Sequence, residues 1–148
     1  MKIVASIIVT SLIFIGCVAK KQTLQEIQEP EITAPKAVIV EDFRAFGSSA
    51  PLAIEQVTLS KNLLSLHVKY SGGCTTHKFN LIGHRMVTKS LPPKRSVRLH
   101  HDNNGDDCRE IVQEVLIFDI TDLAYQKQET MIHIDGYEQG IRYMPVGN

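Results

Sequence analysis

The chain contains no tryptophan, and aromatic residues make up only 6% of its 148 positions. Any core must therefore be mostly aliphatic. It also lacks net charge, with 16 Lys and Arg against 16 Asp and Glu. Without a basic excess to hold a phosphate backbone, nucleic acid is not an expected partner. No apolar run is long enough to span a bilayer. The longest, Ile3 to Ile15, would rise ~20 Å as a helix against a hydrocarbon core of ~30 Å. Missing too are Gly-x-Ser-x-Gly, His-Glu-x-x-His, a phosphate-binding loop and any Cys-x-x-Cys. With those motifs absent, we expect no enzyme, no catalytic residue and no bound cofactor. What remains, at 43% hydrophobic and 22% charged, is an ordinary globular composition and not a disordered polyelectrolyte.

The short apolar run has the form of a signal-peptide core, with Lys2 before it and small residues after it. Its end, Phe14-Ile15-Gly16-Cys17, resembles a bacterial lipobox, in which the Cys is lipidated and becomes the new N-terminus. Phe14 stands where Leu is usual. The resemblance implies a signal peptide over 1–16, an acylated (palmitate-bearing) Cys17, and membrane attachment through that lipid. Val18 follows the Cys in place of the Asp that retains enterobacterial lipoproteins in the inner membrane. A cell-envelope address at the outer membrane is therefore favoured over the inner one. Residues 17–36 are polar, with Pro30 and Pro35, and read as a tether.

From Ala37 onward, alternation with a period of two takes over, predicting one domain over 37–148. A first strand is expected from Val38 toward Phe46, and a second holds Leu52, Ile54 and Val57. Leu64, Leu66, Val68 and Tyr70 alternate with Ser65, His67 and Lys69. Further strands carry Phe79 and Leu81, then Val97 and Leu99. Ile111 to Ile120 is apolar on both parities and is expected at a sheet centre. Tyr125 lies in a short helical turn, and the chain closes with Ile132–Ile134 and Ile141–Met144. About seven short strands with turns between them predict an all-β, antiparallel β-sandwich or partly open barrel. Leu66, Val68, Phe79, Leu116 and Phe118 are expected in one core.

With Cys17 lipidated, Cys74 and Cys108 remain, and an exported chain folds where spare thiols pair. Gly72-Gly73 before one and Asn104-Gly105 before the other allow the tight bends that bring two loops together. A disulfide is the leading reading. The rival is a zinc or copper site built from Cys74, His77, His100, His101 and Cys108, since thiolate and imidazole suit both metals. Asp102 to Asp107 begins like a calcium loop, but Asp107 stands where glycine is needed and Gln113 where glutamate closes the site, so it reads as a polar turn.

The run Val68-Lys69-Tyr70-Ser71-Gly72-Gly73-Cys74-Thr75-Thr76-His77-Lys78-Phe79 resembles a motif of NigD-like lipoproteins. So do Asp107-Cys108 and the strand ending Phe118-Asp119-Ile120. The resemblance covers about Leu63 to Leu123 and implies the C-terminal β-sandwich domain of that family, with its cysteines paired. It implies no activity. The expected function is a lipid-anchored, non-enzymatic binding or structural module with a protein or surface-glycan partner. The alternatives are a metal-binding envelope lipoprotein and a small inhibitor or immunity lipoprotein.

Overall fold

A computed structural model describes residues 33–147. The signal segment 1–16, Cys17 and most of the tether lie outside the described residues. Eight strands form: β1 (Val38–Val40), β2 (Ala53–Ser60), β3 (Leu63–Gly72), β4 (Lys78–Thr88), β5 (Lys94–Asp102), β6 (Glu110–Asp119), β7 (Thr130–Ile134) and β8 (Ile141–Tyr143). Three short 3-10 turns are the only helical pieces among the described residues, and none is long and apolar enough to cross a membrane. The strands make two sheets, one in the order β1-β4-β5-β7-β8 and one in the order β2-β3-β6. The fold is all-β, as the alternation predicts.

One apolar layer joins the sheets. β3 supplies Leu64, Leu66 and Val68, and β6 supplies Phe118. The larger sheet supplies Leu81, Val97, Leu99, Ile132, Ile134 and Tyr143. Phe79 and Leu116 pack at its margin. Ile54 and Val57 are three residues apart yet both lean on this core, because β2 shifts register between Ile54 and Gln56. Such a bulge inserts one residue and restores the face. Tyr143, fully buried, keeps its hydroxyl satisfied by donating to Asn62 Oδ1 at 3.0 Å.

Three expectations need correction. The first strand stops at Val40, where Asp42 caps a 3-10 turn over Phe43–Phe46 by accepting from the Arg44 N–H at 2.9 Å. Phe43 then packs on His84 and Arg98, and Phe46 on His100, roofing the outer face of β4 and β5 beside the fully buried Ile82. The pairing is also not wholly antiparallel. β1 runs parallel to β4, and β5 parallel to β7, in pairs that no hairpin joins. Finally, β6 is not central but an edge strand, bonded along its length only to β3.

Candidate functional site

The sequence places both motif cysteines in loops at one end of the sandwich, and the structure joins them. Cys74, after β3, and Cys108, before β6, form a disulfide with their Cα atoms 6.0 Å apart. That separation lies within the range such bridges need, ~4.4–6.8 Å. Between the two loops sits Asp106, its side chain 1% exposed. One carboxylate oxygen accepts from the backbone N–H groups of Cys74 and Thr75, each at 2.9 Å, and the other accepts from Cys108 N–H at 2.8 Å. His77 Nε2 adds a fourth contact at 3.1 Å. These donors favour the charged form, so the backbone hydrogen bond from Cys108 and then that from Thr75 hold the Asp106 carboxyl far below the usual carboxylate range.

An ionised Asp106 can only accept, so His77 Nε2 carries its hydrogen. On the other side of the ring, His77 Nδ1 and His101 Nε2 share a hydrogen bond of 2.7 Å. His101 is fully buried, stacked on Phe79 with ring centroids 4.7 Å apart, and its Nδ1 makes no hydrogen bond. Burial, then the neighbouring His77, pushes its pKa down, while the nearby Pro51 and Ala50 backbone works the other way. Tyr70 closes the cluster against His77, His101 and Phe79. Its hydroxyl donates to Glu114 Oε1 at 2.8 Å, and burial together with that carboxylate raises its pKa to about 12. Gly72 is required by the close approach: a Cβ there would lie 2.7 Å from His77 Nε2.

His77 and His101 thus come together, but His100 does not join them. Adjacent strand residues face opposite sides, and His100 Nε2 instead lies 3.1 Å from the Ser48 carbonyl oxygen, beneath Phe46. Among the described residues, Cys74, Asp106 and Cys108 bring possible ligand atoms within 4.8 Å of one another. Both sulfurs are bonded to each other, and the carboxylate is filled by N–H donors. As it stands the cluster is a buried tie between two loops. The sequence reading missed Asp106, Tyr70 and Glu114. Only Asp106 left a local signal, the Asx-type turn in which its carboxylate accepts from the N–H two residues on.

A second feature is the free edge of β6. Each sheet ends in two edge strands, four in all. β1 and β8 have three residues each, and β2 is bulged. Short length and bulges are the usual protections against unwanted pairing. β6 has neither, with ten residues paired to β3 in unbroken register. At its far end, Asp119 N–H donates to Pro35 O at 2.9 Å and Asp119 O accepts from Ala37 N–H at 2.8 Å. By alternation, the backbone groups of Ile111, Gln113, Val115 and Ile117 point the same way, away from β3. Among the described residues they have no strand partner. On the outer face Ile111 is 59% and Val115 50% exposed.

No protein-family profile matches the chain, and no curated protein matches it. Solved structures do. A NigD-like immunity protein from Bacteroides caccae superposes with a TM-score of 0.52 at 18% identity, covering 74% of this chain and 58% of that one. A protein of unknown function from Bacteroides vulgatus superposes with a TM-score of 0.50 at 16% identity, covering 75% and 57%. The chain has the NigD-like sandwich fold. It spans somewhat more than half the length of either protein.

Proposed function

We propose that this chain is a non-enzymatic, lipid-anchored module of the cell envelope that recognises a protein partner, in the manner of an inhibitor or immunity protein. The observation that carries the reading is the long, unbulged edge of β6, which has no strand partner among the described residues. A row of outward N–H and C=O groups beside exposed Ile111 and Val115 suits an added strand. Main-chain hydrogen bonds would give affinity there, and alternate side chains specificity. The burial of the His77–Asp106 cluster supports a non-enzymatic reading, since the Asp106 carboxylate and both nitrogens of His77 are taken up by hydrogen bonds within the protein. A fold shared with a protein described as an immunity protein agrees with a protein partner. Lipid attachment rests on the Cys17 motif alone.

A photo-crosslinking residue at Val115 in the full chain, expressed in its own cell, tests the partner. A discrete protein adduct is expected there and not from the same residue at Thr58 on β2. Gln113→Pro should abolish it, because the proline removes an outward N–H that β3 does not use. Equal adducts from both positions, or adducts with glycan alone, would defeat the proposal.

A further inference from the structure

The zero net charge hides a segregation. From Lys78 to His101 the chain carries Lys78, Arg85, Lys89, Lys94, Arg95 and Arg98 and not one Asp or Glu. This stretch is the β4–β5 hairpin. Arg95 turns inward, 4% exposed, and donates to the carbonyls of Leu123, His84 and Arg85, which braces the hairpin where its register shifts. Beyond that brace the loop is tied to itself: Ser90 N–H donates to Thr88 O at 2.9 Å and Ser90 Oγ to Pro92 O at 2.8 Å. Leu91 is held at the tip fully exposed, and Met86 is 72% exposed.

The register puts other groups at the same end. Lys94 pairs with Met131 near the start of β7, and Tyr143 of β8 pairs with Thr130. Met144 and Val146, 57% and 50% exposed, therefore leave the sheet here, and Val146 is tied to Asn62 in the β2–β3 turn. Lys61, Lys89, Lys94 and Lys127 are exposed at this end and make no ion pair among the described residues. Of the acids nearby, Glu41 and Glu129 are paired with Arg85 and Arg142, Asp119 accepts from Thr121, and Asp122 remains.

We infer that the tip of the β4–β5 hairpin, Leu91 with Met86 between Lys89 and Lys94, docks on an anionic lipid surface. Exposed apolar side chains ringed by lysine match the boundary between negatively charged headgroups and acyl chains. A contact of this size is weak and reversible by itself. It serves as a second signal beside a covalent lipid, the combination that stable attachment requires. The inference concerns neither β6 nor its partner.

The absence of tryptophan supplies the test. Leu91→Trp in the full chain places one indole at the tip, and Thr58→Trp places one on β2 as a control. With vesicles containing phosphatidylglycerol, the emission of the tip indole should shift to the blue and be quenched by brominated acyl chains. High salt should reverse both, and Lys89→Glu with Lys94→Glu should abolish both without changing the far-ultraviolet circular dichroism. Neutral phosphatidylcholine vesicles should have little effect, and the control indole should stay water-exposed. If the tip indole keeps its aqueous emission with anionic vesicles, whether or not the chain floats with them, the inference fails and an acidic protein becomes the better match for this end.

Discussion

Asp106 illustrates how one side chain can carry the work of two loops. Three backbone N–H groups and one imidazole converge on its carboxylate, and both cysteines of the disulfide are among the donors. The pH dependence follows from linkage. Its folded pKa is depressed, so its contribution is present above the unfolded value of ~3.9 and is lost as the pH falls below it. His101 is depressed too, so its contribution is present above ~6.5 and is lost as the pH falls from there. Urea midpoints from pH 7.5 down to 3 should therefore decline in two windows. Asp106→Asn should lower the midpoint at neutral pH and flatten the lower window alone. His101→Gln should flatten the upper one alone. If neither variant alters its own window, the two groups do not sit in the cluster described.

At the scale of elements, the disulfide and β6 show opposite kinds of constraint. The bridge links residues 34 apart in sequence, and the chain-entropy account values a closed loop of that size at ~3–4 kcal/mol. For a domain of this length, reduction should lower the melting temperature by ~10 °C or more. The far-ultraviolet spectrum should persist, because the strands and the Asp106 contacts do not require the sulfurs to be joined. Thiol titration in denaturant, with Cys17 replaced, should find no reactive thiol before reductant and two after it. Two thiols beforehand would refute the bridge and return Cys74 and Cys108 to the metal reading. Among the described residues, β6 is paired along its length on one side only, with a contact to the other side at Asp119 alone. Its second apolar face comes from Ile111 and Val115, half-exposed or more, and from the partly buried Ile117, on the outside of the smaller sheet. A strand apolar on both faces reads as central until the sheet order is known.

For the whole molecule, the decisive quantity is where the charges lie relative to the proposed anchor. The β4–β5 hairpin is basic, while the chain from Asp102 onward is mainly acidic, with only Arg109, Lys127 and Arg142 as cations. Such a dipolar molecule held on a membrane has a preferred orientation that a freely diffusing one lacks. The anchor is tested by Cys17→Ser: unprocessed precursor should accumulate, and partition of the mature form into detergent should be lost. Normal maturation of that variant would remove the lipid from the account and leave the fold and the β6 edge untouched.

Local pattern alone determined the all-β class, most strand positions and the inward parity of Leu64, Leu66, Val68, Val97 and Leu99, because alternation in a half-buried strand is written residue by residue. It also named the two cysteines that pair, since the count of three, with Cys17 in a lipobox-like motif, leaves Cys74 and Cys108. The 3-10 turn at Phe43–Phe46 was hidden because an aromatic residue suits a strand equally well, and only the Asp42 cap decides. The parallel pairings and the edge position of β6 belong to tertiary structure, because pairing between distant strands depends on chain crossings that no window of sequence contains. The same holds for the separation of His100 from His101 and for the burial of Asp106. An aspartate in a run of Asp, Asn and Gly reads as a solvated turn until two loops close over it. Folding converts that turn residue into the acceptor on which both loops depend.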